Sequence, residues 1–103
     1  MLFPNESEIL RKMRFIEGLK AGLVTSVGQL YQAMAQNSEQ AILKGLAVLV
    51  VSCYVLGRRL GFTFAQMDEA VSREVEDNIR KEPEAEKWFG DFSDYRQHLR
   101  QKR

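Results

Sequence analysis

A chain of 103 residues is the size of one domain, and 45% hydrophobic with 28% charged residues is the balance of a folded globular protein. Its 15 basic and 14 acidic residues leave a formal net charge of +1, which gives no electrostatic case for a nucleic-acid or acidic-membrane partner. The single cysteine excludes an internal disulfide, and Cys53 with one distant histidine, His98, cannot build a tetrahedral zinc site.

Asn5-Glu6-Ser7-Glu8 reads as a capping box that opens a first helix over Asn5–Gln36. Behind it, Met13, Ile16, Leu19, Leu23, Val27, Leu30 and Met34 recur in steps of three and four, which places them on one helical face. Gly18, Gly22 and Gly28 each weaken a helix by about 1 kcal/mol relative to alanine. They predict either one bent helix or a break near Gly18 to Gly22, where small residues also let a neighbour come close. The first twenty residues mix Glu6, Glu8 and Glu17 with Arg11, Lys12, Arg14 and Lys20, unlike a secretory leader.

Asn37-Ser38-Glu39-Gln40 opens the second helix, predicted over Ser38–Leu60. Its valine-rich run, Leu46 to Leu56, would suit a buried strand, but the segment continues to Leu60 without a turn signal, too long for one. Arg58 and Arg59 suit the negative end of the helix dipole, and Gly61 suits a C-terminal cap. The longest apolar stretch, Gly45 to Gly57, is shorter than the roughly 20 residues of a membrane span. No membrane partner is therefore expected, and the cytoplasm is the expected location. Cys53, inside that run, is expected to be a buried structural thiol. A helix apolar on nearly every side must be covered on nearly every side. That requirement predicts a homodimer.

Thr63-Phe64-Ala65-Gln66 repeats the capping pattern, with Phe62 and Met67 placed as a staple. The third helix, Phe64–Lys81, should bury Met67, Val71, Val75 and Ile79. Pro83 separates it from a short helical segment over 84–101, in which Glu84 to Phe89 stops at Gly90. Ser93 is placed to cap a last turn or two before a frayed Arg100–Arg103. The whole reads as a single all-α domain, a helical bundle with its main core over residues 5–81.

Several stretches of this pattern are shared with a known family. They are Val27-Gly28-Gln29-Leu30, Leu46-Ala47 at the head of the valine-rich helix, the link Leu60-Gly61-Phe62-Thr63-Phe64, and Asn78-Ile79-Arg80-Lys81. Over roughly residues 15 to 81 the chain resembles the MazG-like group of all-α nucleotide pyrophosphohydrolases. Its closing Glu86-Lys87-Trp88-Phe89-Gly90-Asp91 resembles a divergent subgroup of that family. The resemblance implies two carboxylate pairs spaced i and i+3 on two packed helices, holding Mg²⁺ against the substrate phosphates. Carried onto this chain, those positions are Ser26 and Gln29, then Gly45 and Val48, and none is an acid. The ordinary metal site is therefore expected to be lost.

A literal Glu-x-x-Asp stands elsewhere, at Glu74 and Asp77, on a helix the family would not use. It reads first as a solvated face and second as a rearranged metal pair. Lys44, Asn78, Arg80 and Lys81 are candidate phosphate binders, although basic residues also cover helix ends by default. Phe62, Phe64, Trp88, Phe89 and Phe92 read as plugs at the ends of a bundle before they read as stacking platforms. No nucleophile–base pair and no glycine-rich phosphate loop is present in the sequence. The leading expectation is a binding scaffold of MazG-like type without catalysis or cofactor, taking a nucleotide ligand or a protein partner. The competing one is a Mg²⁺-dependent nucleoside triphosphate pyrophosphohydrolase with a rearranged acidic site.

Overall fold

The computed structural model describes residues 4–102, with the side chains of residues 4–6 and 85 left out of that description. Every regular element among the described residues is an α-helix: α1 Pro4–Ala35, α2 Glu39–Arg59, α3 Phe64–Lys81, α4 Pro83–Phe89 and α5 Asp91–Gln101. The all-α fold expected from the periodicity is what the chain adopts. It gathers into two compact units, Met1–Thr63 and Phe64–Arg103.

In the first unit α1 folds back against α2 through a three-residue turn, and local chemistry dictates that turn. Asn37 takes a left-handed conformation, φ 56°, which asparagine tolerates better than most residues. This lets the Asn37 amide donate to Met34 O and the Ser38 amide to Ala33 O, closing the last turn of α1. Ser38 then caps α2, its hydroxyl accepting from the Ala41 amide at 3.4 Å. The far end of α2 closes in the same way: Gly61 at φ 105° lets the Phe62 amide donate to Gly57 O at 2.9 Å. Gly61 is thus the cap that the sequence predicts.

α1 is a single continuous helix through Gly18 and Gly22, so the break considered there does not occur. It also begins at Pro4, which puts Asn5 inside the helix; the capping box rests on Asn5, whose side chain lies outside the described ones.

Packing within this hairpin is thin. Leu30 and Ala33 are buried, with Ser26 and Gly57, while Ile16, Leu19 and Leu23 are half-buried. Met13, Val27 and Met34, predicted to share the inner face, are exposed. The reason is geometric: one neighbouring helix covers a narrow stripe, and the apolar arc of α1 is wider than that stripe. α2 shows the same excess, with Leu43, Leu46, Val50 and Val51 exposed. Cys53, expected to be buried, is exposed as well. It follows Val50 by one helical step of three, so it shares that uncovered arc. α2 spans 21 residues and contains an 18-residue stretch of mean hydropathy 1.8, long and apolar enough by length and composition to cross a membrane. The expectation from the run Gly45 to Gly57 understated this, because the flanking turns extend it.

In the second unit the strongly amphipathic α3 packs on α5, with Val75 buried and Met67, Val71 and Ile79 half-buried. Arg96 of α5 reaches Glu76 of α3 at 3.2 Å from both carboxylate oxygens. Pro83 starts α4 and Gly90, at φ 68°, ends it and begins α5. α5 is eleven residues long and includes Arg100 and Gln101, so the fraying expected from Arg100 does not begin there. Trp88, Phe89, Phe62 and Phe64 are exposed rather than core, and Phe92 is half-buried. Trp88 and Phe89 sit in the last turn of a seven-residue helix, which is too short to fold both rings inward.

Ser93 is not the cap of the last helix. It is the third residue of α5, and its amide donates to Glu86 Oε1 at 3.0 Å. The capping residue itself is Gly90, which has no side chain to offer. A carboxylate from α4 therefore performs the N-cap function across the kink, where the helix dipole also favours negative charge. Glu86→Ala should destabilise the chain by about 1 kcal/mol in urea unfolding, the ordinary value of an N-cap. Glu86→Gln, which retains an accepting oxygen, should lose less than half of that.

Candidate functional site

The positions expected from the resemblance to stand where the family has its acids lie in the hairpin. Two residues per helix at i and i+3 point toward one side, so Ser26 with Gln29, and Gly45 with Val48, test whether the seam between α1 and α2 holds a site. Ser26 is buried, at 8% exposure, whereas Gln29 and Val48 are exposed. Gly45 lies against Leu30: a Cβ built on it would stand 3.3 Å from Leu30 Cδ1 and 3.6 Å from Leu30 Cα. The absence of a side chain at 45 is thus what lets the backbone of α2 approach α1. The seam at this level is filled by leucine rather than left open for an ion.

Beside it Ser26 borders an open, mostly apolar groove of about 480 Å³, floored by Gly18 and Gly22 and reaching Ser52 of α2. The oxygens available there are neutral hydroxyls. Mg²⁺ takes carboxylate, phosphate and water oxygens, so two serines supply neither the charge nor the ligand count.

The second unit carries the other candidates, and most are committed to neighbours on their own helix. Asn78 Nδ2 donates to Glu74 O at 2.8 Å and to Glu74 Oε1 at 3.1 Å. Arg80 is ion-paired with Asp77. Lys81 is exposed at the end of α3, and Lys44 is exposed on α2 in the other unit. Asn78 and Arg80 come together with acids, not with each other around a vacant anion site.

Asp77 does border an open groove, of about 340 Å³, together with Glu69 and Glu76. Each of these carboxylates already accepts from an arginine: Glu69 from Arg73 at 3.3 Å, Glu76 from Arg96, and Asp77 from Arg80. Glu74 is exposed. Among the described residues no group of three His, Cys, Asp or Glu side chains is arranged to hold a metal ion. The groove is a charge-balanced surface of mostly exposed pairs, each worth at most about 1 kcal/mol.

Two contacts were invisible in the sequence reading, the Glu76–Arg96 link and the Glu86 cap. The first joins residues 20 apart and has no local signature. The second had one: Glu86 stands four residues before Gly90, a helix-breaking glycine with nothing to cap the helix that follows.

No curated protein and no solved structure gives a significant match to the chain. A family model does: that of the MazG-like family, over residues 9–92.

Proposed function

The chain belongs to the MazG-like family, and from that premise we propose that it is a non-hydrolytic scaffold of the family, acting through its helix surfaces. The observation that carries the proposal is the packing of Gly45 on Leu30, at the level where the family's two acidic helices would present their ligands. A side chain long enough to reach a metal from position 45 would have to displace Leu30 from the seam. Ser26, buried beside it, offers one neutral oxygen. Hydrolysis between phosphates needs a metal to gather charge and activate water, and nothing at these four positions supplies the ligand field for it.

The exposed apolar arcs of α1 and α2 support an interaction role, since soluble proteins leave extended patches of this kind chiefly where something binds. Nucleotide retention without cleavage would draw on Lys44 or on the basic end of α3, where Lys81 is the exposed cation beside the Arg80–Asp77 pair.

The second reading, a pyrophosphohydrolase with a relocated acidic site, draws on the groove shared by Glu69, Glu76 and Asp77. A divalent ion there would have to release three carboxylates from three arginines, which weighs against it. Nucleotide binding measured with and without divalent metal separates the readings: a scaffold gives no metal-dependent response, and a relocated site gives one.

A further inference from the structure

Two glycines of α1 take no part in the packing of the hairpin. A Cβ built on Gly18 or on Gly22 meets no atom within 4 Å, whereas one built on Gly45 would touch Leu30. Glycine inside a helix is destabilising, and here no close approach of a neighbouring element accounts for it. The two positions are one turn apart on the same face, so the space above them is a continuous trough. It is the floor of the groove of about 480 Å³, a size usual for small-molecule sites. Phe15 and Leu19 line it as well, and its surface is mostly apolar.

The two ends of the trough differ from its middle. A serine inside a helix either points to water or returns its hydroxyl to the carbonyl four residues back. Ser26 does neither: it is 8% exposed, and its hydroxyl has no hydrogen-bond partner among the described residues. That hydroxyl is not sealed in the core but opens on the groove, whose lining Ser52 of α2 shares. At the other end stand Arg11 and Arg14, one turn apart and exposed. Neither is ion-paired among the described residues, although Lys20 of the same helix is held by Glu17.

We propose that this groove binds a single-chain fatty carboxylate carrying a hydroxyl at its far end. The carboxylate lies between Arg11 and Arg14, the chain fills the trough over Gly18 and Gly22, and the terminal hydroxyl bonds Ser26. Length sets the size of the ligand. From Arg14 to Ser26 is about 18 Å along α1, at 1.5 Å per residue. An extended chain advances about 1.2 Å per bond, so about fifteen bonds span the distance, those of a hexadecanoyl chain.

The same features weigh against other occupants. A nucleotide would lay its sugar and phosphates along an apolar floor, with cations at one end only. A bilayer would have to take in Glu17 and Lys20, which stand on α1 level with Gly18, and such groups are costly in hydrocarbon. One chain taken from solution leaves that pair in water.

The test is equilibrium dialysis of the full chain at low salt against 16-hydroxyhexadecanoate, its methyl ester, and hexadecanoate, each kept below its aggregation threshold. The hydroxy acid should bind one per chain. Its ester, which lacks the charge, should bind about tenfold more weakly, a difference that shrinks as salt is added. Hexadecanoate should bind about fivefold more weakly, the worth of one hydrogen bond. Ser26→Ala should remove that preference and leave the two acids within about twofold. Gly22→Leu, which fills the trough without meeting any atom of the chain, should weaken both acids by at least about tenfold. Its melting temperature should rise, since leucine favours the helix. Should either variant unfold, hydroxy acids of decreasing length decide on the wild type, with about twofold lost per methylene in a half-open groove. Failure of either acid to bind, equal binding of acid and ester, or no dependence on chain length would overturn the proposal. So would retention on phosphatidylglycerol vesicles without binding of the free acids. None of these outcomes involves a nucleotide or a divalent ion, so failure here leaves the scaffold reading to its own test.

Discussion

Leu30→Ala is expected to destabilise the chain by about 3 kcal/mol, the middle of the range for removing a buried leucine. For a domain of this size that lowers the melting temperature by more than about 12 °C, readily measured by circular dichroism. The size follows from how little else is buried: Leu30 is the large apolar residue of the hairpin at 9% exposure, and it is the residue on which Gly45 rests. The two positions should also be coupled. In the wild type, Gly45→Ala gains roughly 1 kcal/mol of helix propensity but pushes a Cβ to 3.3 Å from Leu30 Cδ1. With Leu30 already cut to alanine that crowding is gone, so the gain should appear in full, a non-additivity that a double-mutant cycle reads directly. Additive effects, or a Leu30→Ala cost under about 1 kcal/mol, would mean that the two helices do not meet here.

The second large effect is expected from restoring an acid. Ser26→Asp places a carboxylate at a position 8% exposed, on a groove whose arginines, Arg11 and Arg14, stand at least three helical turns away along α1. Burial disfavours the charged form, so the folded-state pKa of that aspartate is raised above its unfolded value. A raised pKa makes the variant most nearly wild-type in acid, where both states are protonated. The deficit grows as pH rises, because the unfolded chain ionises freely and the folded one does not. At pH 7 the cost should be about 3 kcal/mol, and at pH 4 less than about 1. The measurement is urea unfolding at the two pH values, each with and without 10 mM Mg²⁺. A variant as stable as wild type at pH 7, or one rescued by Mg²⁺, would show that the seam still has the character of a metal site.

Much of this fold was legible because its signals are local. Ser38, Gly61, Pro83 and Gly90 mark helix ends by their own backbone and side-chain chemistry, and the helices begin and end within a residue or two of where those signals put them. What the periodicity of α1 could not convey was how many neighbours would come to cover it. Met13, Val27 and Met34 have the spacing of core residues and remain exposed in the single chain. The same limit explains Cys53: an apolar neighbourhood in sequence is not a buried one in space when a helix is apolar all round. Of the candidate positions Ser26, Gln29, Gly45 and Val48, the sequence conveys the chemistry of each side chain, none of them an acid, but not its surroundings. That Gly45 is a packing contact on Leu30 was not legible, because a glycine in a helix reads as weakness until the facing residue is known. Asn78 and Arg80, phosphate candidates by residue type, each meet an acid one turn away, Glu74 and Asp77, a pairing that the spacing permits but does not dictate.

The most direct test of a scaffold without hydrolysis is a thermal-shift panel of nucleoside mono-, di- and triphosphates, each with and without Mg²⁺ or Mn²⁺. A ligand present at about 100 times its dissociation constant stabilises by roughly 2.7 kcal/mol, which here is a rise of about 10 °C or more. The account predicts that metal adds nothing: each nucleotide gives the same shift, or none, in the presence and absence of the divalent ion. A shift that appears only with Mg²⁺ or Mn²⁺, followed by release of pyrophosphate, would contradict it.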